Sequence, residues 1–131
     1  MKRIGLIVMY CSAILLTNTV FSQHQVGHTS ITFQDASRSN RNIPCEIYYP
    51  SATAGNNVPA AQDSFPVIVF GHGFVMAYSA YQNLWEEFVP RGYIMVFPTT
   101  EGNLLNTDHQ RFGWDLHCLL YTSPSPRDRY I

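Results

Sequence analysis

Lysine is nearly missing from this chain. The one lysine, Lys2, sits beside Arg3 at the N-terminus, and between residues 23 and 117 the cations are Arg38, Arg41, Arg91 and Arg111 alone. Eight carboxylates oppose those four arginines (Asp35, Glu46, Asp63, Glu86, Glu87, Glu101, Asp108 and Asp115), a net charge of −4 with histidine neutral. A segment so balanced offers no basic footprint, so neither nucleic acid nor an anionic membrane surface is expected as a partner. Cysteine is scarce as well. Cys45 is alone in the same stretch, which leaves no internal disulfide and predicts a small apolar side chain packed in a strand. Internal repeats are absent. No apolar run is long enough to span a membrane: the longest, residues 4–16, holds thirteen uncharged residues where a bilayer needs about 20.

That run has a different use. Lys2 and Arg3 precede it, and a short polar segment follows, with Val20 and Ser22 suited to the −3 and −1 positions of a cleavage site. Residues 1–22 therefore read as a signal peptide, cut before Gln23. The protein is expected to be secreted or periplasmic, with no stable membrane anchor after cleavage. Cys11 would suit a lipoprotein, but Tyr10 stands where a small residue is wanted and apolar sequence continues beyond it. At the other end, Cys-Leu-Leu-Tyr-Thr-Ser-Pro-Ser-Pro-Arg-Asp at residues 118–128 resembles a translated sequencing adapter. Residues 118–131 are accordingly expected to be a non-native tail, and residues 23–117 one partial domain; the alternative is a natural Ser/Pro-rich tail.

Within residues 23–117 the patterning alternates between periods. Residues 28–33 and 43–49 read as two strands of an antiparallel hairpin at a sheet edge, the second closed by Pro50. Residues 51–64, rich in Ala, Asn, Gly and Pro, read as a mobile surface connection. Residues 65–70, Phe-Pro-Val-Ile-Val-Phe, read as a central strand buried on both faces. Ser79, with Gln82 three residues on, predicts a capping box. Tyr81, Leu84, Trp85, Phe88 and Val89 then recur on one helical face while Glu86 and Glu87 point away. Pro90 and Gly92 end that helix, and residues 93–97 form the next apolar strand. Strand, crossover helix and strand make a βαβ unit with parallel strands. Asp108 predicts the cap of a further helix carrying Phe112 and Leu116. The first helix covers one sheet face only, so the other face is expected to lie open.

Between the central strand and the first helix stands Gly71-His72-Gly73-Phe74. Glycines there permit a sharp turn and close approach of a ligand to the backbone, at the strand end where open α/β sheets place their chemistry. Strand, His-Gly-Phe loop, amphipathic helix and second strand together resemble the N-terminal half of an α/β-hydrolase, over about residues 43–116. The nearest branch is that of secreted esterases, lipases, dienelactone hydrolases and polyester hydrolases. The resemblance implies an α/β fold and a serine ester hydrolase acting on a small-molecule or polymeric ester, without cofactor or metal. It also implies that the backbone N–H of Phe74 is one donor of the oxyanion hole, with Gly73 and His72 supporting the loop. The alternative is that these glycines only shape a tight turn.

The family's Gly-x-Ser-x-Gly elbow is missing. Ser79 stands in Ala-Tyr-Ser-Ala-Tyr, without flanking glycines, and suits a helix cap. The family order of nucleophile, acid, then base puts all three after His117. His72 is expected to brace the turn by hydrogen bonding rather than act in catalysis. His109 beside Asp108 could bind a metal, but capping explains the pair better and no second ligand pair has zinc spacing. His24 and His28 read as solvated. Phe74, Tyr78 and Tyr81 could line an acyl or aromatic pocket, Tyr81 more readily as core. Two functions remain: a secreted serine esterase cut before its nucleophile, and a catalytically silent α/β-hydrolase-like binding protein.

Overall fold

The computed structural model describes residues 23–122. The signal peptide expected over residues 1–22, and residues 123–131 of the tail, lie outside them. Strand β1 (Gln25–Asp35) pairs antiparallel with β2 (Arg41–Ser51) along its whole length, Gln25 opposite Ser51 and Asp35 opposite Arg41. The alternation Ile43, Cys45, Ile47, Tyr49 puts these side chains on one face, and all are buried. Pro50 does not close β2; both Pro44 and Pro50 lie within it. Proline withholds only its donor, and the carbonyls still accept, Pro44 from the Thr99 N–H and Pro50 from the Ala61 N–H, each at 2.9 Å.

The connection after β2 is pinned rather than mobile. Its residues Gly55–Asn56 form a short β3 parallel to β1. The Tyr49 hydroxyl donates to the Val58 carbonyl at 2.6 Å, and the Ser51 hydroxyl to that of Pro59 at 2.7 Å. His28 is not simply solvated either: its ring nitrogens lie 2.6 Å from Glu46 and 2.8 Å from Asn56, tying β1 to β2 and β3. His24 rests edge-on against Phe65.

Strands β4 (Val67–Val69) and β5 (Ile94–Pro98) are parallel, as a βαβ unit requires, and the sheet order is β3-β1-β2-β5-β4. The α/β class stands, with the antiparallel hairpin beside the parallel unit. In detail β2 is interior, hydrogen-bonded to β5 as well as β1. Strand β4 is shorter than the apolar run and ends the sheet. Val67, Ile68 and Val69 are therefore only half-buried, because a strand with one neighbour keeps an open side.

Helix α1 (Gln82–Phe88) crosses between them, entered through a 3-10 turn at Tyr78–Tyr81 and left through another at Val89–Arg91. The predicted capping box does not form. No side chain caps either turn of helix at this end, and Gln82 donates along the helix to Glu86 at 2.6 Å. The apolar face is as patterned: Trp85 and Val89 are buried, with Tyr81, Leu84 and Phe88 beside them. Trp85 stacks on Tyr48 of β2 at 4.1 Å and 3°. Gly92, at φ 90°, stops the helix, a conformation glycine adopts without a Cβ clash.

Helix α2 (His109–Thr122) covers the second face, contrary to the expectation that this face lies open. Asp108 caps it, accepting the Arg111 N–H at 3.0 Å. Pleating divides the sheet between the helices. Ile68, Phe70, Met95 and Phe97 face α1, while Val67, Val69, Ile94 and Val96 join β2 and Leu119 on the side of α2. The helix runs five residues past His117. Leu119 is buried there because it lies three residues beyond Leu116, on the same stripe.

Candidate active site

The loop after β4 and the loop after β5 meet at the carboxyl ends of the two parallel strands. Between them lies a cleft of about 680 Å³, walled by His72, Val75, Met76 and Tyr78 on one side and Thr99, Thr100 and Glu101 on the other. His72 joins the walls. Its Nε2 lies 2.8 Å from the Thr100 carbonyl and its Nδ1 3.0 Å from that of Gly73. A neutral imidazole can donate only one of those bonds, and the ring packs over Phe112 of α2 at 4.6 Å.

Gly71 and Gly73 serve close packing rather than unusual dihedrals. The left-handed glycines among the described residues are Gly55 and Gly92. A Cβ at Gly71 would lie 3.0 Å from Leu116 and 3.1 Å from Phe112, and one at Gly73 would lie 2.9 Å from the Tyr81 hydroxyl. The strained turn comes two residues later. Val75 has φ 58° and, across the cleft, Glu101 has φ 59°, the former a true outlier for a β-branched residue. Such strain persists where surrounding structure imposes it, and it concentrates at functional sites.

Phe74 stands between the bonded Gly73 and the strained Val75. Its ring is more than half exposed, at 56 %, and leans toward His109 at 5.7 Å. Its backbone N–H makes no hydrogen bond among the described residues. The Gly73 N–H, by contrast, donates to the Tyr81 hydroxyl at 2.8 Å. Tyr81, read from the sequence as core, thus packs on Phe70 at 4.8 Å while its hydroxyl reaches into the loop. Tyr78 lines the cleft. Ser79 is exposed in its 3-10 turn, and among the described residues no serine hydroxyl is hydrogen-bonded to a histidine.

Beneath the cleft lies an ion cluster that the sequence reading missed. Asp115 of α2 is fully buried. Arg41 of β2 donates to both its oxygens at 2.8 Å, Thr100 adds a bond at 2.7 Å, and the Arg38 guanidinium lies 2.6 Å away. Burial alone would raise the Asp115 pKa, but the hydrogen bonds from Arg41, Thr100 and Arg38 outweigh it and hold it below the usual carboxylate range. Glu101 accepts from Arg41 at 2.8 Å and from the Asp108 N–H at 3.0 Å. The cluster therefore anchors Thr100, whose carbonyl faces His72. Its signal was available: Asp115 falls on the apolar stripe of α2 between Phe112 and Leu119. Cys45 is buried, and burial pushes its thiol up to about 12, so it is inert at neutral pH. No group of three or more metal-ligating side chains occurs among the described residues.

Comparison with known proteins bears on the family and the fold. The family model described as Chlorophyllase matches residues 16–111. The fold is similar to that of a ferulic acid esterase from Streptomyces cinnamoneus, with a TM-score of 0.51 and 18% identity over 58% of this chain. The chain spans about a third of that esterase's length, 33%. No curated protein matches the sequence.

Proposed function

This chain belongs to the chlorophyllase family, and on that premise we propose that it is the N-terminal part of a secreted or periplasmic serine hydrolase of carboxylic esters. Its substrate is a small-molecule or polymeric ester. The observation that carries the reading is the Phe74 N–H: an amide without a hydrogen bond among the described residues, beyond the end of a parallel strand, in a loop held from both sides. Such an amide is what an oxyanion hole supplies, a donor fixed in place before charge develops on the substrate oxygen. One such donor contributes roughly 3 kcal/mol to the transition state. The nucleophile, its base and the orienting acid come from sequence after His117, in the order the hydrolase elbow dictates.

The chain as it stands is inactive in this reading, because no serine hydroxyl among the described residues is hydrogen-bonded to a histidine that could activate it. The complete gene product is expected to hydrolyse short p-nitrophenyl esters and to be labelled covalently by a fluorophosphonate probe. A complete protein with an intact Gly-x-Ser-x-Gly that does neither would overturn the enzyme reading in favour of a silent binding protein.

A further inference from the structure

We propose that Tyr81 is the positioning residue of the oxyanion loop, acting through the Gly73 amide. The inference rests on the assignment of the Phe74 N–H made above. Tyr81 stands at the foot of α1, with its ring against Phe70, and the Phe70 N–H continues the β4–β5 ladder to the Val96 carbonyl at 2.9 Å. The hydroxyl is therefore carried on the rigid part of the fold. It accepts the Gly73 N–H at 2.8 Å and donates to the Met76 sulfur at 3.4 Å. One oxygen thus grips both ends of the four-residue turn whose middle is Phe74 and Val75. The Met76 N–H closes the same turn onto the Gly73 carbonyl at 3.1 Å.

Two further observations point the same way. A Cβ at position 73 would lie 2.9 Å from the Tyr81 hydroxyl, so a side chain there would push against the hydroxyl that holds the loop. The neighbouring Val75 holds a left-handed φ of 58°, which a loop keeps only when its surroundings impose it. The hydroxyl also assigns the donors: with the Gly73 amide engaged by Tyr81, the Phe74 amide is left for the substrate oxygen. Replacing the hydroxyl by hydrogen leaves the Gly73 N–H without an acceptor and frees the turn to relax.

The oxyanion exists only in the transition state, so a misplaced donor lowers kcat rather than weakening substrate binding. In the complete gene product, Tyr81→Phe should lower kcat on the order of tenfold to a hundredfold with KM little changed. Affinity for a trifluoromethyl ketone, whose adduct carries the oxyanion, should fall by a similar factor. Hydrogen–deuterium exchange at the Gly73 amide should rise while that of β5 stays as in the wild type. Unchanged kcat, inhibitor affinity and exchange would refute the proposal. A raised KM with intact kcat would also refute it, placing Tyr81 in substrate binding. Should the wild-type protein hydrolyse no ester, the enzyme reading fails, and the Gly73 exchange still decides whether Tyr81 braces the loop.

Discussion

A buried carboxylate must be matched by cations or be neutralised, and Asp115 is matched twice, by Arg41 and by Arg38. Removing it leaves two guanidinium groups with an uncompensated buried edge. Asp115→Ala in the complete protein should therefore cost about 3 kcal/mol or more, measured by urea denaturation. The pH dependence has a definite sign. The folded pKa of Asp115 is lowered, and that of Asp35 falls from 3.8 to about 2, through hydrogen bonds from Ser37 and then Arg38. A folded pKa below the unfolded one means stability that is full above the unfolded value and lost as acid protonates the native state. Unfolding free energy should therefore fall as pH drops from about 4 toward 2, and Asp115→Ala should flatten that slope. A slope unaltered by the substitution would show that the cluster does not govern acid stability. At this scale residue type was legible but partnership was not. Asp115 on an apolar stripe signals a buried ion, yet Arg41 lies 74 positions away and only the folded chain brings them together.

The elements themselves follow from period and punctuation. Alternation in β2, the apolar face of α1, the stop at Gly92 and the cap at Asp108 are each local patterns, and each matches the structure. Boundaries depended on neighbours instead. Pro50 and Pro44 sit inside β2 because their carbonyls find partners outside the hairpin, and the Ser79–Gln82 box gives way to a 3-10 turn that brings Tyr81 against Phe70. Packing between elements is testable at Gly71, where side chains of α2 lie against the backbone just after β4. A methyl group there meets Leu116 at 3.0 Å and Phe112 at 3.1 Å, so Gly71→Ala should destabilise by about 1 kcal/mol. In a Leu116→Ala background the added cost should largely vanish. Additive effects in that double-mutant cycle would mean that α2 does not rest on Gly71.

For the whole molecule the open side is β4. Among the described residues it has one strand neighbour, β5, and its three residues are half-buried. A chain ending at His117 also lacks Leu119, a fully buried member of the core beneath α2. An unpaired strand edge beside exposed apolar surface invites association. Residues 23–117 expressed alone should therefore be insoluble or molten. A monomer in size-exclusion chromatography with a sharp thermal transition would contradict this and identify a self-sufficient small domain.

Apolar periodicity and the glycine-flanked histidine were enough to read the α/β class, the parallel pair and the loop at its carboxyl end. These are short-range properties, set by neighbouring residues along the chain. The hydroxyl of Tyr81 on Gly73, the bridge from His72 to Thr100 and the cation pair on Asp115 depend on which surfaces meet across the sheet. Those contacts join positions 8, 28 and 74 residues apart. No local pattern encodes them, because a hydrogen bond's partner is chosen by distance and angle in the folded state and not by spacing along the chain.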